Sequence, residues 1–253
     1  MRNAYPCYPA EVGSATMRLN KYLGESGQWS RREADALIEE GRVTINGVPA
    51  PLGAQVAAGD EVKVDGDLVG KARKLERPVY IALNKPIGIT CTTERHVEGN
   101  IIDFVDHPER IFPIGRLDKE SEGLILLTND GDFAQRLAHP SYEVEKTYVA
   151  EVTGRVDKRT VRTLLAGVTL EDGPVEVRRA RVVSSTADRG IVELVIHEGR
   201  NRIVRRLLAE IGHPVQRLTR TAIGPVRIGT LKQGTLRELS TDEVGSLLDT
   251  AGL

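Results

Sequence analysis

GRLDKESEGLILLTNDG, residues 115–131, places Arg116, Asp118, Lys119, Glu120 and Glu122 directly before an apolar run. RIFPIG on one side and LILLT on the other are apolar enough for core strands, so the charges occupy a strand junction. A charged loop anchored on buried strands holds side chains in fixed positions, which catalysis needs and a solvated surface face does not.

Outward from that loop, residues 79–83, 124–128, 147–153, 178–183 and 191–197 read as strands. Residues 132–138, 158–166 and 202–211 read as helices. Strands outnumber helices and no regular crossover separates them. Residues 79–253 are therefore expected to form an α+β domain on a mostly antiparallel mixed sheet.

Residues 17–70 read as a separate small αβ unit. Leu19, Tyr22 and Leu23 have helical spacing, and Ser30 with Glu33 makes a capping box at the head of SRREADALIEEG. Asn46-Gly47 then lies between strand-like runs as a hairpin turn. Its six basic and nine acidic residues sum to minus three, but Arg18, Lys21, Arg31 and Arg32 gather on the helices. KARKLERP, residues 71–78, reads as a basic linker, and residues 1–16 as a flexible extension, with Met17 a second candidate start.

With 40% hydrophobic and 28% charged residues, and no apolar run near the ~18 residues of a membrane span, a folded protein away from membranes is expected. No secretory leader is apparent, and Cys7 and Cys91 give neither a disulfide framework nor a metal-ligand spacing, which points to the cytoplasm. Phosphate-binding glycine loops and zinc motifs are missing from the sequence, so cofactor-free and metal-free chemistry is expected. The five histidines are scattered, and an aspartate is the better candidate for the reacting group.

Net charge is −1, yet residues 200–237 hold nine basic residues, eight of them arginine, against Glu210 alone. Arginine's planar fork suits phosphates and base edges, so this segment points to nucleic acid. In its helix, Asn201 is the expected cap and Ile203, Val204, Leu207, Leu208 and Ile211 the buried stripe. Arg202, Arg205 and Arg206, beside Arg200, would then share a face suited to an anion.

GRLDKESEGLILLTNDG resembles the catalytic motif of the pseudouridine synthases, in the branch named after RsuA, RluB, RluE and RluF. ALNKPIG, with Lys85, is similar to that branch's opening element, EKTYVAEV to its tyrosine motif, and EGRNRIVRRLLAEIGHPVQRLTRTAIGPV to its arginine motif. ALNKPIGITCTTE is most like the RluF sub-branch. The first helices and hairpin resemble the RNA-binding module first known from ribosomal protein S-four. Ile203 departs from the pattern, since the family usually has glutamine there.

The resemblance implies cofactor-free isomerisation of uridine to pseudouridine in ribosomal RNA, in a large-subunit stem-loop, by a monomer. Small-subunit RNA, tRNA, and a non-catalytic ribosome-associated binder are the alternatives. Asp118, Tyr148 and Arg205 would be catalytic, with Arg205 pairing Asp118 and Tyr148 stacking on the flipped uracil. Asp118 could attack the sugar, stabilise an oxocarbenium-like ribose, or remove a sugar proton. Arg116 would fill the space the uridine leaves. Lys85, Arg200, Asn201, Arg202 and Arg206 would contact RNA, as would Arg18, Lys21, Arg31 and Arg32 in the first unit.

Overall fold

The computed structural model describes residues 16–70, 78–250 and 252. Residues 1–15 and 71–77 of the expected extension and linker lie outside these. The chain divides into two compact units, one ending at Arg77 and the other running from Pro78.

The first unit opens with helices Leu19–Glu25 and Arg31–Glu39. Both halves of the capping box form: the Ser30 hydroxyl accepts from the Glu33 amide, and the Glu33 carboxylate accepts from the Ser30 amide. Ala34, Leu37 and Ile38, at i, i+3 and i+4, face Leu19, Leu23, Val43 and Val62 in one core. Strands Val43–Ile45 and Val48–Pro49 turn at Asn46 (φ 52°) and Gly47 (φ 80°). Positive φ at both positions suits this residue pair and matches the twist of the hairpin. Strands Val62–Val64 and Asp67–Leu68 complete a four-stranded sheet, and Met17–Arg18 pairs separately with Gln55–Val56.

The second unit is built on a nine-stranded sheet. Its main path runs Arg179–Ser185, Arg189–Ile196, Lys146–Thr153, Val215–Ile223, Glu122–Thr128, Tyr80–Lys85, Leu236–Glu238. Each described pairing in it is antiparallel except one: Val215–Ile223 runs parallel to Glu122–Thr128, with Thr219 opposite Glu122 and Arg220 opposite Gly123. All seven residues of EGLILLT are buried, as expected for a central strand covered on both faces. Ile125 and Leu127 belong to a core with Ile81, Leu83, Tyr148, Ala150 and Leu218.

Three details correct the sequence reading. The arginine-motif helix runs Ile203–Glu210, and its cap position is Arg202, in the left-handed region at φ 49°, with no side-chain cap bond; Asn201 does not cap it. RIFPIG contributes a strand only at Phe112–Pro113. VQRLTRTAI, read as part of an arginine segment, is the nine-residue strand Val215–Ile223 in the middle of the sheet.

Candidate active site

Asp118 lies in the loop that leads into Glu122–Thr128. The Ser121 amide donates to the Asp118 carbonyl at 3.0 Å, closing a turn, and the Gly88 amide donates to the Lys119 carbonyl at 2.8 Å. KPIG therefore docks directly on the charged loop. Leu117 is buried in the core, which fixes the backbone next to Asp118.

Two arginines hold this loop from opposite ends. Arg205 Nη2 donates to the Glu120 carbonyl at 2.9 Å and to Ser121 Oγ at 3.2 Å, while its Nη1 donates to the Val215 carbonyl at 3.4 Å. Arg220 Nη1 donates to the Arg116 carbonyl at 3.3 Å and its Nε to the Leu124 carbonyl at 2.7 Å. Asp118, between them, is half-buried and makes no side-chain hydrogen bond or ion pair with any described residue. Its charge still acts on Lys85, Arg202 and Arg205.

The expected Arg205–Asp118 ion pair is thus not formed. Arg205 binds the loop's backbone and Ser121 instead, and its Nε is buried without a partner among the described residues. Burial, followed by the neighbouring Arg202, pushes its pKa below the usual guanidinium range.

A row of residues crosses the sheet beneath the loop. Lys85 pairs with Gly123, Gly123 with Arg220, Arg220 with Tyr148, and Tyr148 with Leu194. Lys85 is fully buried and donates to the Pro86 and Ile89 carbonyls, both at 2.9 Å. It supports the KPIG turn and is not an RNA contact, a correction that follows from its burial. Desolvation pushes its ammonium pKa down, and the Arg220 charge adds to that. Tyr148 is 7% exposed and belongs to the core cluster, and it lies opposite Arg220 on the neighbouring strand.

Glu122, the buried charge that begins the strand, accepts from Arg217 Nε at 2.6 Å, Thr219 Oγ1 at 2.9 Å and Gln233 Nε2 at 2.8 Å. Burial alone would raise its pKa; these donors outweigh burial and hold it below the usual carboxylate range. It is a structural anion locking the parallel pair, distinct from the unpaired Asp118.

The remaining expected RNA contacts divide. Arg116 is exposed, and its guanidinium has no partner among the described residues. Arg202 is exposed but paired with Glu120. Arg206 is bound through both terminal nitrogens to Asp172, at 3.0 and 2.8 Å, and through Nε to the Asn201 carbonyl. Arg200 is occupied by Glu198, Asp172 and the carbonyls of Gly173 and Pro174. Arg200 and Arg206 are therefore fastened around Asp172 and are not free phosphate ligands. Asn201 is exposed, and Ile203, in the usual glutamine position, is buried. In the first unit Arg18, Arg31 and Arg32 are exposed, and Lys21 pairs with Glu25 at 3.5 Å.

Sequence reasoning gave Arg220 and Ser121 no role. A signal for Arg220 existed: it alternates with Leu218 and Ala222 on one buried strand face.

The family model described as RNA pseudouridylate synthase matches residues 79–210, and that of the S4 domain matches residues 17–72. "Ribosomal large subunit pseudouridine synthase B" of Bacillus subtilis (strain 168) is 42% identical, over 91% of this chain and 95% of that protein. "Dual-specificity RNA pseudouridine synthase RluF" of Escherichia coli (strain K12) is also 42% identical, over 91% of this chain and 78% of that protein. A solved structure, "Crystal structure of pseudouridylate synthase", is 31% identical with a TM-score of 0.64, covering 91% of this chain and 99% of the other.

Proposed function

The chain belongs to the RNA pseudouridylate synthases with an S4 domain, isomerases that act on RNA, and we propose that its substrate is a uridine in a stem-loop of large-subunit ribosomal RNA. In this reading the bond from uracil nitrogen to ribose breaks, the base turns, and a carbon–carbon bond to the same sugar replaces it. No atom is gained or lost, so the protein's task is to extract the nucleotide, place one charged group against the sugar, and keep the detached base in place.

The observation that carries this reading is the unpaired, half-buried Asp118 carboxylate on a loop fastened at both ends by Arg205 and Arg220. A carboxylate with a purely structural salt-bridge role would be paired; one held in place but left without a partner is ready for a group that arrives with substrate. Arg116, two residues earlier, carries an exposed guanidinium that can enter the RNA stack and offset part of the few kcal/mol of extrusion. For Tyr148 to stack on the uracil, its ring must become accessible as the RNA binds. The first unit, with Arg18, Lys21, Arg31 and Arg32, holds the RNA and raises its local concentration at Asp118. Because one chain carries both functions, a monomer suffices.

The large-subunit assignment is supported by the name of the Bacillus relative. The words "dual-specificity" in the name of the Escherichia relative support a second RNA substrate class, for which tRNA is the alternative. Mapping pseudouridines in ribosomal RNA and tRNA from cells with and without the gene tests this. Loss of a large-subunit site is expected; loss confined to small-subunit RNA or tRNA contradicts it.

A further inference from the structure

Arg220 is 2% exposed, lies in the middle of the sheet, and has no carboxylate at ion-pair distance among the described residues. Its planar group instead spans two pieces of backbone. Nε binds the Leu124 carbonyl, on the strand that follows the Asp118 loop, and Nη1 binds the Arg116 carbonyl, two residues before Asp118. Nη2 is buried with no acceptor among the described residues.

Stability does not account for such a group. A buried cation without a counter-charge and with an unsatisfied donor is costly, and an apolar side chain of similar volume commonly serves a core at least as well. What the guanidinium provides is geometry: two N–H donors in one rigid plane fix the distance between strand and loop. Arg205 already holds the other end of the loop, at Glu120 and Ser121. With Arg220 in place, the segment from Arg116 to Ser121 has no free end.

We propose that Arg220 is a positioning residue for the reaction, pinning the Arg116 end of the Asp118 loop to strand Glu122–Thr128 so that Arg116 and Asp118 meet the nucleotide in fixed places. It acts through the backbone and touches neither sugar nor base. This rests on Asp118 as the reacting carboxylate. Displacement of a reacting group by ~1 Å costs ~10²-fold in rate, which sets the effect expected from releasing the loop.

The test compares Arg220→Gln and Arg220→Lys with the unaltered full chain, reading single-turnover rate at saturating ribosomal RNA, half-saturating RNA concentration, and melting temperature. The expected result is a rate reduced by ~10²-fold in Arg220→Gln and by less in Arg220→Lys, which keeps the charge but not the fork. Half-saturating RNA should stay within about threefold, and the rate loss should persist well below both melting temperatures, which a merely structural role would not produce. A folded variant with a rate within about threefold of the original, or one whose losses lie in RNA affinity alone, overturns the proposal. If Arg220→Gln does not fold, Arg220→Lys decides by the same criteria. Asp118→Asn run in parallel separates the two readings: turnover by that variant removes the premise, whereas its inactivity beside an active Arg220 variant removes only the role of Arg220.

Discussion

The backbone of Arg220 passes so close to Gly123 that a Cβ at position 123 would stand 2.3 Å from the Arg220 carbonyl oxygen and 2.8 Å from its amide nitrogen. Gly123 also sits at φ 106°, a conformation side chains rarely adopt. The parallel contact that joins the two halves of the sheet therefore requires glycine, one residue after the buried Glu122.

From this contact, Gly123→Ala is expected to destabilise the protein by ~3 kcal/mol or more, since strain and a backbone clash add together. Chemical denaturation should show the midpoint falling well below that of the original chain. A shift of a few tenths of a kcal/mol would mean the two strands part easily.

Arg205→Ala and Arg206→Ala should behave differently although the residues are adjacent. Arg206 forms a solvent-screened pair with Asp172, and its hydrogen bonds go to Asp172 and the Asn201 carbonyl. Arg205 holds Glu120 and Ser121. Single-turnover rates should fall at least about tenfold further in Arg205→Ala, and equal losses would show that the loop does not depend on its clamp.

The contrast between these arginines marks where the sequence was legible. Ser30 with Glu33 and Asn46-Gly47 announce themselves because capping and tight turns are local, decided within four residues. The GRLD loop and its following strand were equally readable, as charge set against an unbroken apolar run. The one-sided arginine segment points to nucleic acid but hides its own pairing, because most of its counter-charges come from far along the chain: Glu120 for Arg202, Glu122 for Arg217 and Asp172 for Arg206. Strand Val215–Ile223 was hidden for another reason: its buried positions include an arginine where alternation leads one to expect an apolar residue. Lys85 reads as a surface cation in sequence and becomes a core prop only once Pro86 and Ile89 fold their carbonyls around it.

Removing residues 1–77 should weaken RNA capture and leave the chemical step. Half-saturating RNA concentration should rise and the salt dependence of binding should flatten, because the phosphate contacts proposed for Arg18, Lys21, Arg31 and Arg32 would be lost. The single-turnover rate at saturating RNA should stay nearly unchanged. A folded truncation with unaltered affinity and salt slope would assign the first unit another partner.

The half-buried Lys146 supplies a pH test. Desolvation, with Arg220 next, pushes its ammonium pKa down to about 8, while its Nζ donates to the Val144 and His197 carbonyls, both at 3.0 Å. Between about pH 8 and the ordinary lysine value of ~10.4, unfolding takes up a proton, so stability contributed at this site rises with pH across that window. Thermal melts of the original chain and Lys146→Met should diverge in favour of the original chain as pH rises from 8 to 10. A constant difference would mean that Lys146 titrates as it would in water.

The most direct measurement is the single-turnover rate of Asp118→Asn on ribosomal RNA, beside its RNA affinity. Asparagine keeps the shape of the side chain and removes the charge, while Arg205 and Arg220 still hold the loop through its backbone. Pseudouridine formation should become undetectable with affinity within a few-fold of the original. Appreciable turnover by Asp118→Asn would contradict the assignment of this carboxylate as the reacting group.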